Sequence, residues 1–166
     1  MTDLVVDDQG HQLEPEVLDL ASRIFDLARS GDAETLAAYL DAGVPANLTN
    51  TNGDTLVMLA SYHGHASAVA VLIAHDADVD RHNNRGQTPL AGAVFKNETT
   101  IMQLLLRAGA DPRAGSPSAL ETARFFGKEQ LARQLLQHMQ RRRSVNVSPQ
   151  RARVASDRPF RAVRGV

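Results

Sequence analysis

Four histidines lie close together in the sequence: His63, His65, His75 and His82. Histidine is the side chain best suited to bind a metal or to move a proton near neutral pH. A zinc site, however, needs three or four ligands that converge on one point. The chain contains no Cys and no HExxH pattern to supply companion ligands. We therefore expect no bound metal and no cofactor.

Catalytic motifs are also missing from the sequence. It has no Gly-rich phosphate loop, no nucleophile elbow and no recognisable Ser-His-Asp arrangement. Its acidic residues are spread over the chain, and no pair is set apart as a general acid and a general base. The sequence therefore predicts a protein that is not an enzyme.

The composition favours one domain of closely packed helices. Of the 166 residues, 43% are hydrophobic but only 4% are aromatic, so the core must come mainly from Leu, Ala and Val. The absence of Cys rules out a disulfide framework. No secretory signal is visible at the N-terminus, and no apolar run approaches the ~18 residues of a membrane span. We expect a cytoplasmic protein without a transmembrane segment.

Charge is unevenly distributed along the chain. The net charge is −1, yet residues 138–166 contain eight Arg and one Asp, so the rest of the chain is acidic. Pro149 and Pro159 interrupt this basic stretch, which predicts a disordered, Arg-rich tail over residues 138–166. Such a tail could make weak contacts with nucleic acid or an acidic membrane surface. It could equally lie on the acidic body or remain a solvated extension without a ligand.

A 33-residue period organises most of the sequence. At this interval Gly53 recurs as Gly86, and Thr55 recurs as Thr88. Thr88 is matched in turn by Ser118, at a slightly smaller offset, so the last turn is shorter. A period of this length indicates stacked units, none of which buries its apolar face alone.

The repeated segments resemble the ankyrin repeat, notably Gly86 to Leu90, the apolar run Leu104 to Leu106, and Ala108 to Asp111. The chain is similar to small stand-alone bacterial ankyrin proteins. The resemblance implies an all-α solenoid of about four helix-turn-helix units, at residues 17–49, 50–82, 83–115 and 116–137, after an N-terminal extension of residues 1–16. It also implies a monomer that binds an unidentified partner protein through its concave groove and loop tips.

One departure from the family concerns the links between turns. Where the family commonly has a His that ties adjacent turns together, the four units carry Phe25, Met58, Ala91 and Glu121. His65 follows a turn glycine, and the resemblance implies a structural role for it.

Local signals support the same helices. Thr55, Thr88 and Ser118 stand where a side chain can cap a helix N-terminus. Asn97 occupies the turn position held by glycine in the other units, and Asn tolerates a left-handed backbone. Leu72 and Leu105 lie in the apolar runs of the second helices and are predicted to be core residues.

Three aromatic residues recur at one repeat position: Tyr62, Phe95 and Phe125. Adjacent packed helices lie about 8–10 Å apart, so these side chains could form a row along the groove. We interpret them, with His63 and Lys96 beside two of them, as partner-binding residues. The alternative is that the rings pack on one another or on loop backbone.

The loop tips supply a second candidate row, formed by Asn52, Asp54, Arg85 and Gln87. These residues are polar and adaptable, and we include them among the partner-binding residues. The alternative is that they only satisfy the backbone of the turns.

Gly92 is unusual because it stands inside a predicted helix. We interpret Ala91 and Gly92 as a close helix contact with the next unit, where Thr122 is the matching residue. The alternative is that a ligand approaches Gly92.

For the whole protein, two further functions stay open: a nucleic-acid- or membrane-associated adaptor that acts through the tail, and a structural scaffold without a regulatory role.

Overall fold

The structure is a computed structural model, and it describes residues 15–146. Within that range the chain forms eight helices, which are α1 Pro15–Ser30, α2 Ala33–Asp41, α3 Leu56–Tyr62, α4 Ala66–Ala74, α5 Pro89–Lys96, α6 Thr99–Arg107, α7 Ala119–Phe125 and α8 Glu129–Asn146. Successive helices pair into helix-turn-helix units, as the repeat predicts.

Three first helices begin at the predicted capping residues. The hydroxyl of Thr88 accepts a hydrogen bond from the Ala91 N–H at 3.2 Å, and Pro89 follows in the first turn. Thr55 caps α3 in the same way. Ser118 forms a reciprocal capping box with Glu121, whose carboxylate accepts from the Ser118 N–H at 2.8 Å. Each cap satisfies an amide that the helix leaves without a partner.

The turns between paired helices require a left-handed backbone. Asn97 adopts φ 62°, which confirms its equivalence to the turn glycines. Gly31 has φ 80°, and a Cβ atom there would collide with the His65 ring. The turn of one unit therefore leaves room for a side chain of the next.

The helices form two layers. The first helices α1, α3, α5 and α7 lie side by side, and the second helices α2, α4 and α6 form a parallel row behind them. The core lies between the layers, where Leu72, Ile101 and Leu105 are fully buried. The predicted all-helical solenoid and its core positions are confirmed.

The C-terminal end of the stack corrects one predicted boundary. The tail was expected to begin at residue 138, but α8 continues to Asn146. Met139 packs against the core, and Arg142 donates a hydrogen bond to the Gly109 carbonyl at 2.9 Å. The segment is rich in Gln and Arg, which favour helix, and no Pro occurs between Glu129 and Pro149.

The N-terminal boundary also shifts slightly. Helix α1 begins at Pro15, two residues before the expected start of the repeat domain. The predicted N-terminal extension before Pro15 and the predicted tail from residue 147 lie outside the described residues.

Candidate protein-binding groove

A concave groove of about 580 Å³ runs along α3, α5 and α7, from the loop tips to the C-terminal ends of these helices. Tyr62, Phe95 and Phe126 line it, and they are 43%, 43% and 50% exposed. Each ring is held at the last turn of a first helix or at its C-cap, because the repeat returns the chain to the same place. The groove therefore has an aromatic wall that is open to solvent.

The aromatic row differs from the predicted one at its C-terminal end. Phe125 was expected to continue the row of Tyr62 and Phe95, but it is 84% exposed and Phe126 lines the groove instead. The ring of Phe126 contacts both neighbours edge-on, with centroids 5.2 Å from Phe95 and 5.0 Å from Phe125. Phe126 is the C-cap of α7, the position that His63 holds at α3, so it lines the groove from a different repeat position than Tyr62 and Phe95.

The floor of the groove is formed by Leu59, Gly92 and Thr122, which share one repeat position. A Cβ atom at Gly92 would meet only the Tyr62 ring, at an ordinary contact distance of 3.9 Å. The predicted close contact of Gly92 with the next unit is therefore wrong, because the ring near it is Tyr62 of the preceding unit, whereas Ala91, the other residue of that prediction, is buried. Gly costs about 1 kcal/mol relative to Ala in a helix interior. At this place it opens a notch between larger floor residues.

The loop tips divide into two groups. Arg85 and Gln87 line the groove and are exposed, and Asn52 is exposed beside them. Asp54 is only 8% exposed and accepts a hydrogen bond from the Asn83 amide at 2.7 Å. Its carboxylate is already bonded within the protein, so we correct the interpretation of Asp54 as an adaptable loop-tip residue.

Two asparagines that were not among the predicted site residues hold the turns in place. The side-chain oxygen of Asn83 accepts from the backbone N–H groups of Arg85 and Gln87, each at 3.0 Å. Asn50, at the equivalent position of the preceding unit, accepts in the same way from Asn52 and Asp54. The Asn83–Asp54 bond then joins the two turns in place of the family's histidine. The recurrence of an asparagine at one repeat position was the available sequence signal.

The groove carries positive charge at its edge. The Lys96 ammonium lies 5.0 Å from the centre of the Tyr62 ring, a cation–π geometry. Among residues 15–146, neither Lys96 nor Arg85 forms an ion pair. Burial lowers the pKa of His63 from its ordinary value, and the nearby charges of His65, Arg29 and Lys96 lower it further. His63 is therefore mainly neutral at pH 7, in surroundings that disfavour another cation.

The other histidines serve separate purposes. The Nε2 atom of His65 lies 2.7 Å from the Arg29 carbonyl, so His65 links its unit to the preceding one. Lys128, at the corresponding position of the last unit, donates to the Phe95 carbonyl at 2.7 Å. His75 lies 2.9 Å from an Asp41 oxygen on the opposite, outer face. No cluster of three potential metal ligands occurs among the described residues.

These features define the class of the molecule as a helical repeat solenoid with a concave, aromatic groove. Within the part of the chain that the structure describes, every helix is too short or too polar to cross a membrane.

Comparison with known proteins supplies the family. The profile of ankyrin repeats, in three copies, matches residues 24–116, and the chain belongs to the ankyrin repeat family. An ankyrin repeat protein of Pseudomonas aeruginosa is 45% identical over 65 residues, which are 39% of this chain and 38% of that protein. An ankyrin repeat-containing protein of Treponema pallidum is 36% identical over 83 residues, covering 49% of this chain and 28% of the relative.

A third relative shows that the repeat occurs beside other activities. Serine/threonine-protein kinase 12 of Arabidopsis thaliana is 32% identical over 110 residues, covering 66% of this chain and 24% of the kinase. The chain thus spans less than two fifths of the length of each of these three relatives. What they share with it is the repeat, which is generally a protein–protein interaction module and not a catalytic fold.

Proposed function

We propose that this chain is a non-enzymatic binding module that holds a partner protein in its concave groove. The observation that carries this proposal is the exposure of three aromatic side chains, Tyr62, Phe95 and Phe126, around one groove of about 580 Å³. Aromatic residues in a concave, partly desolvated surface are the usual energetic anchors of protein interfaces.

The polar residues around the groove support the same function. Arg85 and Gln87 lie at the loop-tip edge of the groove, and His63 and Lys96 lie beside Tyr62. A binding surface typically surrounds its apolar centre with such a polar rim. Asn52 extends this rim along the loop tips, whereas Asp54 belongs to the interior of the turn.

The groove is also built on a rigid support. Its aromatic residues stand on helices whose opposite sides are buried in the stack, and its loop tips are fixed by the Asn50 and Asn83 bonds. A preformed surface loses little conformational entropy on binding, which favours affinity.

The test uses the tagged full chain to capture proteins from an extract of its source cells, with identification by mass spectrometry. The purified partner is then titrated calorimetrically against the wild type, Tyr62→Ala, Phe95→Ala and the outer-face control Gln103→Ala. The two groove substitutions are expected to cost roughly 2 kcal/mol or more of binding energy each, as hot spots do. The control should bind like the wild type. A partner that binds all four proteins equally would overturn the proposal.

A further inference from the structure

The notch at Gly92 and the charges at the groove edge indicate what kind of segment the groove receives. We propose that the partner presents an acidic segment with one large apolar side chain, which enters the notch above Gly92. This inference rests on the proposed function and specifies the chemistry of its ligand.

The floor of the groove has a gap at one repeat position. The preceding unit fills this repeat position with Leu59 and the following unit fills it with Thr122, while Gly92 leaves it empty. The Tyr62 ring borders the vacant position, and Phe95 lines the same groove. An apolar side chain placed there would exchange water for the surface of the Tyr62 ring and the apolar lining of the groove, which is favourable.

The edge of the groove is positively charged. Arg85 lines the groove and Lys96 stands over Tyr62, and within residues 15–146 both lack a carboxylate partner. Of the described residues that line the groove, Asp54 is the one that is acidic, and its carboxylate is buried and bonded to Asn83. Glu121, nearby at the start of α7, is held by Ser118. Carboxylates on a partner would therefore find cations that are still available.

The same features favour a peptide over a nucleic acid. A single-stranded nucleic acid follows a track of cations along its backbone and stacks its flat bases on aromatic faces. Here the edge-on contact of Phe95 with Phe126, with rings inclined at 71°, does not present a continuous stacking surface. A notch beside the Tyr62 ring suits a branched or aromatic side chain instead.

The experiment selects peptides from a phage-displayed random library on the full-length protein. Crossing three helices spaced about 8–10 Å apart takes roughly six extended residues, so peptides of about twelve residues suffice. Selected peptides are synthesised with a fluorophore, and their binding is measured by fluorescence anisotropy at low and high salt. The panel comprises the wild type, Gly92→Leu, Gly92→Ala, Lys96→Glu, Phe95→Ala and Gln103→Ala.

The inference expects peptides enriched in Asp and Glu around one large apolar residue. Gly92→Leu should lower their affinity at least about tenfold, because the new side chain fills the notch as Leu59 fills its own position. Gly92→Ala should have a smaller effect, and Gln103→Ala none. Lys96→Glu should also lower affinity about tenfold and should weaken the salt dependence. Thermal melting of each variant checks that the fold is retained.

Other outcomes separate this inference from the function on which it rests. Peptides that need Phe95 but are basic, or that tolerate Gly92→Leu, would overturn the inference of an acidic segment with an apolar anchor. They would leave groove binding intact. Peptides that bind Phe95→Ala and Lys96→Glu as well as the wild type would count against the groove itself. A labelled single-stranded oligonucleotide that displaces the peptides from the groove would overturn the choice of a protein ligand.

Discussion

The two sides of the first helices sort their residues by size in an unexpected way. The inner side of each helix carries an alanine that is fully buried: Ala60, Ala93 and Ala123. Two residues further along each helix, the exposed side carries an aromatic residue: Tyr62, Phe95 and Phe125, which are 43%, 43% and 84% exposed. Two residues correspond to about 200° of rotation, so these positions face opposite ways. Close packing of the helices admits only a methyl group inside, and large rings stay at the edge. Burial here follows the available space more than hydrophobicity.

The largest expected effect is at the centre of the stack. Leu105 is fully buried in α6, so Leu105→Asp places an unpaired charge in the core and should cost several kcal/mol of the free energy of unfolding. Gln103→Asp, on the exposed side of the same helix, is the matched control and should melt like the wild type. Circular dichroism against temperature measures both. Wild-type melting of Leu105→Asp would place the core elsewhere.

The second-largest loss of unfolding free energy is expected when a large ring replaces an alanine on the inner side. Ala93→Phe puts a ring between α5 and its neighbours, and overpacking of this kind typically costs about 1–3 kcal/mol or more. Ala70→Phe makes the same change on the exposed side of α4 and should change the free energy of unfolding far less. Urea denaturation compares the two. Equal stability of the two variants would show that the first helices are not closely packed.

An effect of intermediate size on stability is expected at the loop tips, where a buried polar residue can be compared with an exposed one. Asn83→Ala removes the acceptor of two backbone amides and the donor to Asp54, and should cost about 1–3 kcal/mol. Arg85→Ala, two residues away and exposed, should change stability by no more than about 0.5 kcal/mol. Chemical denaturation distinguishes them. A destabilised Arg85→Ala would mean that this side chain holds the turn.

The aromatic residues on the exposed side of the first helices should contribute little to the stability of the fold. Phe95→Ala and Tyr62→Ala remove rings that are nearly half exposed, so we expect losses on the order of 1 kcal/mol in unfolding free energy, well below the ~3–5 kcal/mol typical of buried rings. Differential scanning calorimetry gives the result. A loss as large as that of Ala93→Phe would make these rings part of the core and remove the contrast between the two sides.

The smallest expected effect concerns histidines on opposite faces. A hydrogen bond to the Val71 carbonyl, and then one to Asp41, raise the pKa of His75, whereas burial lowers the pKa of His63. The protonated His75 ring donates to both acceptors, so its contribution to stability is present below about pH 6.5 and is lost as pH rises through the raised pKa. NMR titration should give a higher pKa for His75 than for His63.

Asp41→Asn provides the control for this titration. It should lower the pKa of His75 only in part, because the Val71 carbonyl remains 2.9 Å from Nδ1. It should leave the pKa of His63 unchanged, since Asp41 is not among the groups that shift it. A reversed order of the two pKa values would contradict the assigned contacts.

The repeat made much of the architecture predictable. Helix caps such as Thr88 and left-handed turns such as Asn97 depend on residues close in sequence, so they could be located from the sequence. Core leucines followed from their apolar runs. By contrast, the length of α8 was underestimated: its Gln and Arg residues favour helix, but the hydrogen bond that holds Arg142 joins it to Gly109, which is distant in the sequence.

The candidate site was less predictable than the fold. Periodicity placed Tyr62 and Phe95 at equivalent positions, but it did not distinguish Phe125 from Phe126 at the shorter last unit. It also gave Asp54 and Arg85 the same interpretation as loop-tip residues. Their difference arises from Asn83, which reaches across from the next turn and withdraws the Asp54 carboxylate from solvent.

The sequence alone determined the period, the position of each capped helix start and the alignment of equivalent residues, because these depend on local backbone chemistry that recurs in every unit. Only the stacked structure decided which equivalent positions are filled and which are open. Gly92 illustrates the division. Its sequence context suggested close packing, while the stack leaves only the Tyr62 ring near it, at 3.9 Å. Space at a residue is set by neighbours that stacking brings together, and the residue's own type does not specify them.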